Sequence, residues 1–223
     1  MNLTPVWISI QLATVTVVVL LALGTPLAWW LAVTRSRWRV PIDALVALPL
    51  VLPPTVLGFY LLTLLGPQGP IGGPWFKVTG QTLTFSFSGL VIASVIYSLP
   101  FVVQPLRDAF RAVGEGPMEA AATLGARPLD AFFTVACPLA GRGFLTAVVL
   151  GFAHTLGEFG AVLMVGGSIP GETRVVAIAI YEHVETLEYG AAHTLSAGLL
   201  VFSFLVLFVV YALNRRSRPG VTG

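Results

Sequence analysis

The feature that most constrains the fold is an apolar run from position 6 to 33 that contains no Asp, Glu, Lys or Arg. About 20 mostly apolar residues suffice for an α-helix to cross the roughly 30 Å hydrocarbon core of a bilayer. Four more stretches reach that length: residues 42–65, 87–106, 144–165 and 191–213. None of them alternates apolar and polar residues as strands of membrane β-barrels do. We therefore predict an all-α integral membrane protein with about five or six spanning helices in one domain, residues 1–223.

The composition agrees with a bilayer environment. Hydrophobic residues make up 56% of the chain and charged residues only 10%, whereas soluble domains carry about a quarter charged residues. The single cysteine, Cys137, excludes an internal disulfide and a cysteine-based metal site. The first dozen residues contain no Lys or Arg, which argues against a cleaved signal peptide with a basic start.

The basic residues lie mostly on one side of the predicted spans. Ten of the twelve Lys and Arg residues fall there: Arg35, Arg37, Arg39, Arg107, Arg111, Arg127, Arg142, Arg215, Arg216 and Arg218. The opposite side carries Lys77 and Arg174 among several glutamates. Because cytoplasmic loops carry the excess of Lys and Arg, we expect an outer N-terminus and a cytoplasmic C-terminus. Residues 107–143 then form a cytoplasmic loop.

That loop contains the stretch "EAAATLGARPLDAFFTVACPLA", residues 119–140. Pro117 suits the first turn of a helix, and the alanines that follow are the strongest helix formers. Gly125 can end this helix, and Pro138 redirects the chain toward the next span. Met118, Ala122 and Gly125 form a stripe on the helix that suits docking into a groove of a partner. The alternative is a helix that merely lies on the bilayer surface.

The same stretch resembles the EAA loop of bacterial ABC-importer permeases: E-A-A, three residues, G, nine residues, I-x-L-P. The matching positions hold Glu119, Ala120, Ala121, Gly125, Val135, Cys137 and Pro138, with Val in place of Ile and Cys in place of Leu. The resemblance implies a type I importer permease fold in a prokaryotic inner membrane. It also implies a homodimer of this chain, two separate ATPase subunits and an extracytoplasmic binding protein. The implied ATPase-coupling residues are Glu119, Ala120, Ala121, Ala122, Gly125 and Pro138.

A second motif narrows the family. Residues 154–185, "HTLGEFGAVLMVGGSIPGETRVVAIAIYEHVE", resemble the permeases for sulfate, molybdate and tungstate. This run and the "LNRR" after the last span are most similar to molybdate permeases. The resemblance implies import of molybdate, with sulfate and tungstate as alternatives. Within the implied mechanism, the outer loop after the fourth span meets the binding protein, and its candidate contacts are Ser168, Glu172 and Arg174.

Candidate path residues come from prolines, hydroxyls and one buried charge. Prolines interrupt the second and third spans, and broken helices are tolerated where they are buried or line a cavity. Glu158 lies one helical turn from His154. We predict that it has a structural or gating role rather than contact with the anion, because a carboxylate repels an anion. The candidates for the path or gate are Pro53, Pro54, Thr55, Ser94, Ser98, Thr155 and Glu158. For any one Ser or Thr, a hydrogen bond to its own helix backbone is the simpler interpretation.

The sequence lacks the motifs of the other classes of protein that were considered. The histidine spacing does not match the H-E-x-x-H pattern of a zinc protease, so no catalytic or metal-binding residue is predicted. The only lysine, Lys77, does not lie in a phosphate-binding loop, so ATP must be hydrolysed by another subunit. We expect no cofactor and no nucleic-acid partner, only membrane lipid and the other subunits. An autonomous channel or secondary transporter remains the alternative class.

Overall fold

The computed structural model describes residues 3–216, with side chains to residue 208, and every regular element among them is helical. The helices are α1 (Thr4–Val33), α2 (Arg39–Ala47), α3 (Pro54–Leu65), α4 (Gly72–Thr79), α5 (Phe87–Val113), α6 (Gly116–Thr123), α7 (Pro128–Ala131), α8 (Cys137–Leu139), α9 (Gly141–Gly157), α10 (Gly160–Gly166), α11 (Val176–Glu185) and α12 (Tyr189–Arg216). A short 3₁₀ turn, Leu48–Leu50, follows α2, and a wider π turn, Phe132–Ala136, joins α7 to α8.

Three helices are long and apolar enough to cross a membrane by themselves: α1, α5 and the Tyr189–Phe208 part of α12. Two bent pairs raise the number of candidate spans to five within the described residues. Residues 39–50 and α3 meet at 108°, and residues 128–139 and α9 meet at 71°. The helix α5 extends past the predicted span 87–106 to Val113, despite Pro100 and Pro105.

The core lies where α1, α5 and α9 pack together. Leu20 and Leu31 of α1 and Val102 and Leu106 of α5 are among its fully buried side chains. Gly151 of α9 lets that helix approach α5 closely, since a Cβ there would stand 2.7 Å from a methyl group of Val102. These three helices form the frame against which the broken segments rest.

The proline-rich stretch interrupts the second apolar segment at residues 51–53, before α3 begins at Pro54. Proline is well placed at the first position of a helix because its missing N–H has no helical partner there. Its ring also disfavours helical geometry at the preceding residue, and Pro53 is accordingly extended, with ψ of 136°. The prolines therefore separate α3 from α2.

No break is expected from the sequence within residues 144–165, yet the structure has one between α9 and α10. Glu158 leaves the helical conformation, with ψ of 134°. Its carboxylate Oε1 accepts the backbone N–H of Ala161 at 2.8 Å and so caps the start of α10. Glu158 is buried at this break rather than in the middle of a continuous helix.

The two helices that follow the breaks, α3 and α10, pack side by side. Gly58 of α3 faces Met164, where a Cβ would stand 2.8 Å from the Met164 Cβ. Gly160 of α10 faces Pro54, where a Cβ would stand 2.7 Å from the Pro54 Cβ. We call this contact the α3–α10 joint. It depends on two positions that have no side chain.

The segments that follow α3 and α10 contain more structure than their composition suggests. The loop 66–86 is rich in Gly and Pro, a composition typical of turns, yet it includes the helix α4. Residues 173–187 show helical periodicity typical of a surface or re-entrant helix, and they form α11, which buries Val176, Ile178 and Ala179 against its neighbours. The backbone N–H of Val176 also donates to Ser9 Oγ at 2.8 Å, which fixes the start of α11 to α1.

Candidate functional site: coupling surface and path

The predicted coupling helix is α6, which begins at Gly116 and ends at Thr123. Pro117 occupies its first turn, as the sequence indicates, and Glu119 is the carboxylate of that turn, where the helix dipole favours negative charge. Glu119, Ala120 and Ala122 are exposed, whereas Ala121 is buried. The helix therefore presents a surface of short side chains.

Gly125 forms the turn that ends this helix. Its φ is +85°, a left-handed conformation that glycine adopts without steric cost. Two hydrogen bonds close the turn: Gly125 N to Ala122 O and Ala126 N to Ala121 O, both at 3.0 Å. Such a pair satisfies the last carbonyls of a helix. Apart from its chain neighbours, no described residue lies within 4 Å of where a Cβ on Gly125 would stand.

Met118 does not belong to the exposed stripe that the helix periodicity suggests. Its side chain is half-buried and packs against the core cluster that contains Phe110. The exposed apolar residue nearest the turn is instead Leu124, which is 89% exposed. The periodicity of a short helix does not show which of its faces packs on the rest of the protein, because that face depends on where α1 and α5 lie.

Pro138 lies in the second half of the loop, just after the wide turn Phe132–Ala136. A proline has no N–H to donate to the carbonyl four residues earlier, and the preceding turn widens so that Cys137 N bonds to Phe132 O. The ring of Phe132 packs edge-on against Trp29, with centroids 5.2 Å apart. Pro138 itself is exposed, and the wide turn attaches the loop to the end of α1.

Four path candidates lie in one buried seam between α5 and α9. Ser98 Oγ lies 2.9 Å from His154 Nδ1 and 2.9 Å from Thr155 Oγ1. The imidazole of His154 also stacks on Phe101, with ring centroids 3.8 Å apart. Ser94 lies one turn from Ser98 and is fully buried, and its hydroxyl has no hydrogen-bond partner among the described residues.

Glu158 adds a charge at the end of this seam. Its Oε1 caps α10, while its Oε2 is buried and has no partner among the described residues. With a relative exposure of 5%, the carboxylate lies inside the chain rather than on a surface that another subunit could line. Ser94, Ser98, Thr155 and Glu158 are thus all buried within the chain in this structure.

The other three path candidates, Pro53, Pro54 and Thr55, surround the break before α3. Pro53 and Thr55 are exposed, and Pro54 is half-buried against Gly160. The seven candidates for the path or gate thus lie in two groups, this break and the buried seam.

The candidate outer contacts are also divided. The Ser168 hydroxyl donates a hydrogen bond to Glu182, and Arg174 Nη2 lies 2.5 Å from the Glu182 Oε2. Both residues therefore tie the outer segment to α11. Glu172 is exposed and available to a partner. Glu182, which organises this contact, carries no signal in the sequence that distinguishes it from the neighbouring glutamates.

Among the described residues, no three His, Cys, Asp or Glu side chains are grouped as metal ligands.

Comparison with known proteins identifies the family. A model described as "Binding-protein-dependent transport system inner membrane component" matches residues 24–219. The chain is 59% identical over 221 residues to the molybdenum transport system permease protein ModB of Azotobacter vinelandii, covering 99% of this chain and 97% of that protein. It is 33% identical over 196 residues to the sulfate transport system permease protein CysT of a Synechocystis strain, covering 88% and 68%.

A solved structure shares the fold. A chain of the MetNI methionine ABC transporter in an inward-facing conformation superimposes with a TM-score of 0.73 at 18% identity, over 96% of this chain and 95% of that one. The predicted all-α importer-permease fold and the predicted family are confirmed by these matches. The chain therefore belongs to the family of binding-protein-dependent transport system inner membrane components.

Proposed function

We propose that this chain is the membrane permease subunit of an ATP-driven importer for molybdate. The observation that carries the proposal is its near-full-length similarity to a molybdenum permease at 59% identity. The exposed coupling helix and the broken spans support it, because they are the parts that such a subunit needs. Sulfate is the alternative cargo, since a sulfate permease is similar at 33% identity, and tungstate is another because its anion closely resembles molybdate in charge and shape.

The proposed assembly contains two copies of this chain, two ATPase subunits and an extracytoplasmic molybdate-binding protein. The subunit itself is non-catalytic and hydrolyses no ATP, in keeping with the lack of a phosphate-binding loop in the sequence. ATP binding draws the ATPase subunits together, and the docked α6 helices move with them. Glu119, Ala120, Ala122 and Gly125 form the docking surface, and Pro138 shapes the turn that connects it to α9.

The cargo path in this proposal runs past the break before α3, lined by Pro53, Pro54 and Thr55. The buried seam formed by Ser94, Ser98, Thr155 and Glu158 supports the path from behind. None of the five apolar segments contains Lys or Arg, so the path has no fixed positive charge to hold an anion. Selectivity then lies mainly in the binding protein, which meets the permease at Glu172, while Ser168 and Arg174 keep the outer segment in shape.

The proposed orientation has an outer N-terminus and a cytoplasmic C-terminus. Single cysteines at Arg37 and at Glu172, in a Cys137→Ala background, test it with a membrane-impermeant maleimide on intact spheroplasts. We expect labelling at position 172 and none at position 37 until the membrane is permeabilised. The opposite pattern would reverse the topology.

The function itself is tested in proteoliposomes that contain this chain with the ATPase subunit and binding protein of the same organism. We expect molybdate to stimulate ATP hydrolysis and uptake, with sulfate a weaker stimulus. Stimulation by sulfate alone would assign the chain to sulfate transport. Anion uptake without the ATPase subunit would instead show an autonomous channel or carrier.

A further inference from the structure

A pocket of about 560 Å³ opens on the arginine-rich side of the molecule, between the end of α1, the end of α5 and the coupling helix α6. Its lining includes three arginines and an apolar floor: Arg35, Arg39, Arg111, Trp29, Phe110 and Met118. Trp29 and Phe110 pack edge-on with ring centroids 5.2 Å apart, which makes the floor rigid. The pocket therefore combines a basic rim with an aromatic base at the membrane boundary.

The positive charges of this pocket are only partly neutralised within the chain. Arg35 pairs with Glu115 at 3.1 Å, and both side chains are largely exposed. Arg111 reaches Asp43 and Asp108 only at 3.8 Å each, because both carboxylates are held more closely by Arg107. Arg39 is half-buried and forms no ion pair in the described part of the chain.

The second glutamate of the lining does not remove this excess. Glu119 also lines the pocket, but it lies beyond ion-pair distance of Arg39, since no bridge within 4.0 Å joins them. The lining thus contains three arginines against two glutamates, of which one is already paired with Arg35. A half-buried guanidinium without a counter-charge favours a bound anion, and phosphate suits its planar donors.

We propose that this pocket binds a phosphate group, with Arg39 and Arg111 as its principal donors and the aromatic floor against the rest of the ligand. The phosphate can come from an anionic phospholipid of the adjacent leaflet or from free phosphate in the cytoplasm. Basic pockets between spanning helices on the cytoplasmic side are suited to anionic lipid headgroups. Because α6 forms one wall, an occupant also touches the proposed coupling surface. The inference depends on the fold and on the proposed orientation, and not on which anion is transported.

The chain provides a matched control two residues away. Arg37 belongs to the same loop as Arg39 and is exposed, but it does not line the pocket. The full-length protein, purified in detergent, would be titrated with phosphatidylglycerol, phosphatidylcholine or inorganic phosphate and followed by native mass spectrometry. Wild type would be compared with Arg39→Gln, Arg39→Lys and Arg37→Gln, and thermal unfolding would show that each variant is folded.

We expect saturable binding of phosphatidylglycerol in preference to phosphatidylcholine. Arg39→Gln should weaken this binding about fivefold, which is the effect of losing one basic residue near an anionic surface. Arg37→Gln should leave binding unchanged, and Arg39→Lys should retain part of it. If inorganic phosphate binds with the same dependence on Arg39, the source is free phosphate and the site stands. Equal losses in both glutamine variants, or no saturable binding of either ligand, would overturn the proposal. None of these outcomes depends on transport activity, so the site and the proposed function can fail separately.

Discussion

Substitutions at Gly125 can distinguish two reasons for a glycine there: its backbone conformation and close contact with the ATPase subunit. Its φ of +85° is left-handed, yet the space around its missing Cβ is open within the chain. Most L-residues lose about 1–2 kcal/mol in this conformation, whereas asparagine tolerates it. Gly125→Ala should therefore strain the turn, and Gly125→Asn should strain it much less, although asparagine is the larger side chain.

The size of the effect follows from the turn itself. Alanine can keep the turn and bear the strain, or it can abandon the turn and lose both bonds that close it. A backbone hydrogen bond contributes about 0.5–1.5 kcal/mol net, so losing the pair costs about 1–3 kcal/mol. Keeping the strained turn costs about 1–2 kcal/mol, and this route sets the expected effect. A cost of that size changes an equilibrium by a factor of about 5–30.

The assay is the affinity of the purified ATPase subunit for the permease in nanodiscs, with binding-protein-stimulated ATP hydrolysis as a second readout. Gly125→Ala is expected to weaken association about 5–30-fold, with Gly125→Asn close to wild type. If asparagine weakens binding as much as alanine or more, the glycine is needed because the partner approaches its backbone. Wild-type behaviour of the alanine variant would refute the conformational argument.

Three further tests use five substitutions, with thermal unfolding in detergent as the shared measurement. Gly160→Ala should destabilise the protein by about 1–3 kcal/mol through overpacking. Gly157→Ala should not, because a Cβ there meets nothing within 4 Å among the described residues. Equal effects of the two variants would contradict the close packing of the α3–α10 joint. Ser98→Ala should cost about 0.6–1.7 kcal/mol, the range for hydrogen bonds between membrane helices, while Ser94→Ala, which removes an unpartnered hydroxyl, should be neutral. The seam has no structural role if the two serine variants match. Glu182→Gln should destabilise the outer segment by about 1 kcal/mol and expose it to limited proteolysis, and unchanged proteolysis would show that the ion pair does not hold it.

The long apolar helices were predictable because their length is set by the bilayer rather than by neighbouring residues. The run 6–33 contains no charge, and α1 occupies Thr4–Val33. The turn at Gly125 was also predictable, since a glycine after a short alanine-rich helix is a local signal. Proline likewise indicated the interruption before α3.

The break at Glu158 could not be derived in the same way. No proline is present, and the carboxylate ends one helix by capping the next through the N–H of Ala161. The division of the path candidates was equally hidden, because the burial of Ser98 depends on His154 and Thr155 from a helix more than fifty positions away. The spacing of residues along one helix does not show which other helix packs over them.

The α3–α10 joint has a mechanical consequence. The two helices run side by side from neighbouring breaks, since Gly160 meets Pro54 at their first residues, and the close glycine contacts prevent one from sliding along the other. A rotation of the pair about a line through residues 51–53 and 158–159 would therefore move both helices together. A twelve-residue helix is about 18 Å long, so a rotation of about 10° about that line moves its far end by about 3 Å. The width of any opening at that end would be set by one angle.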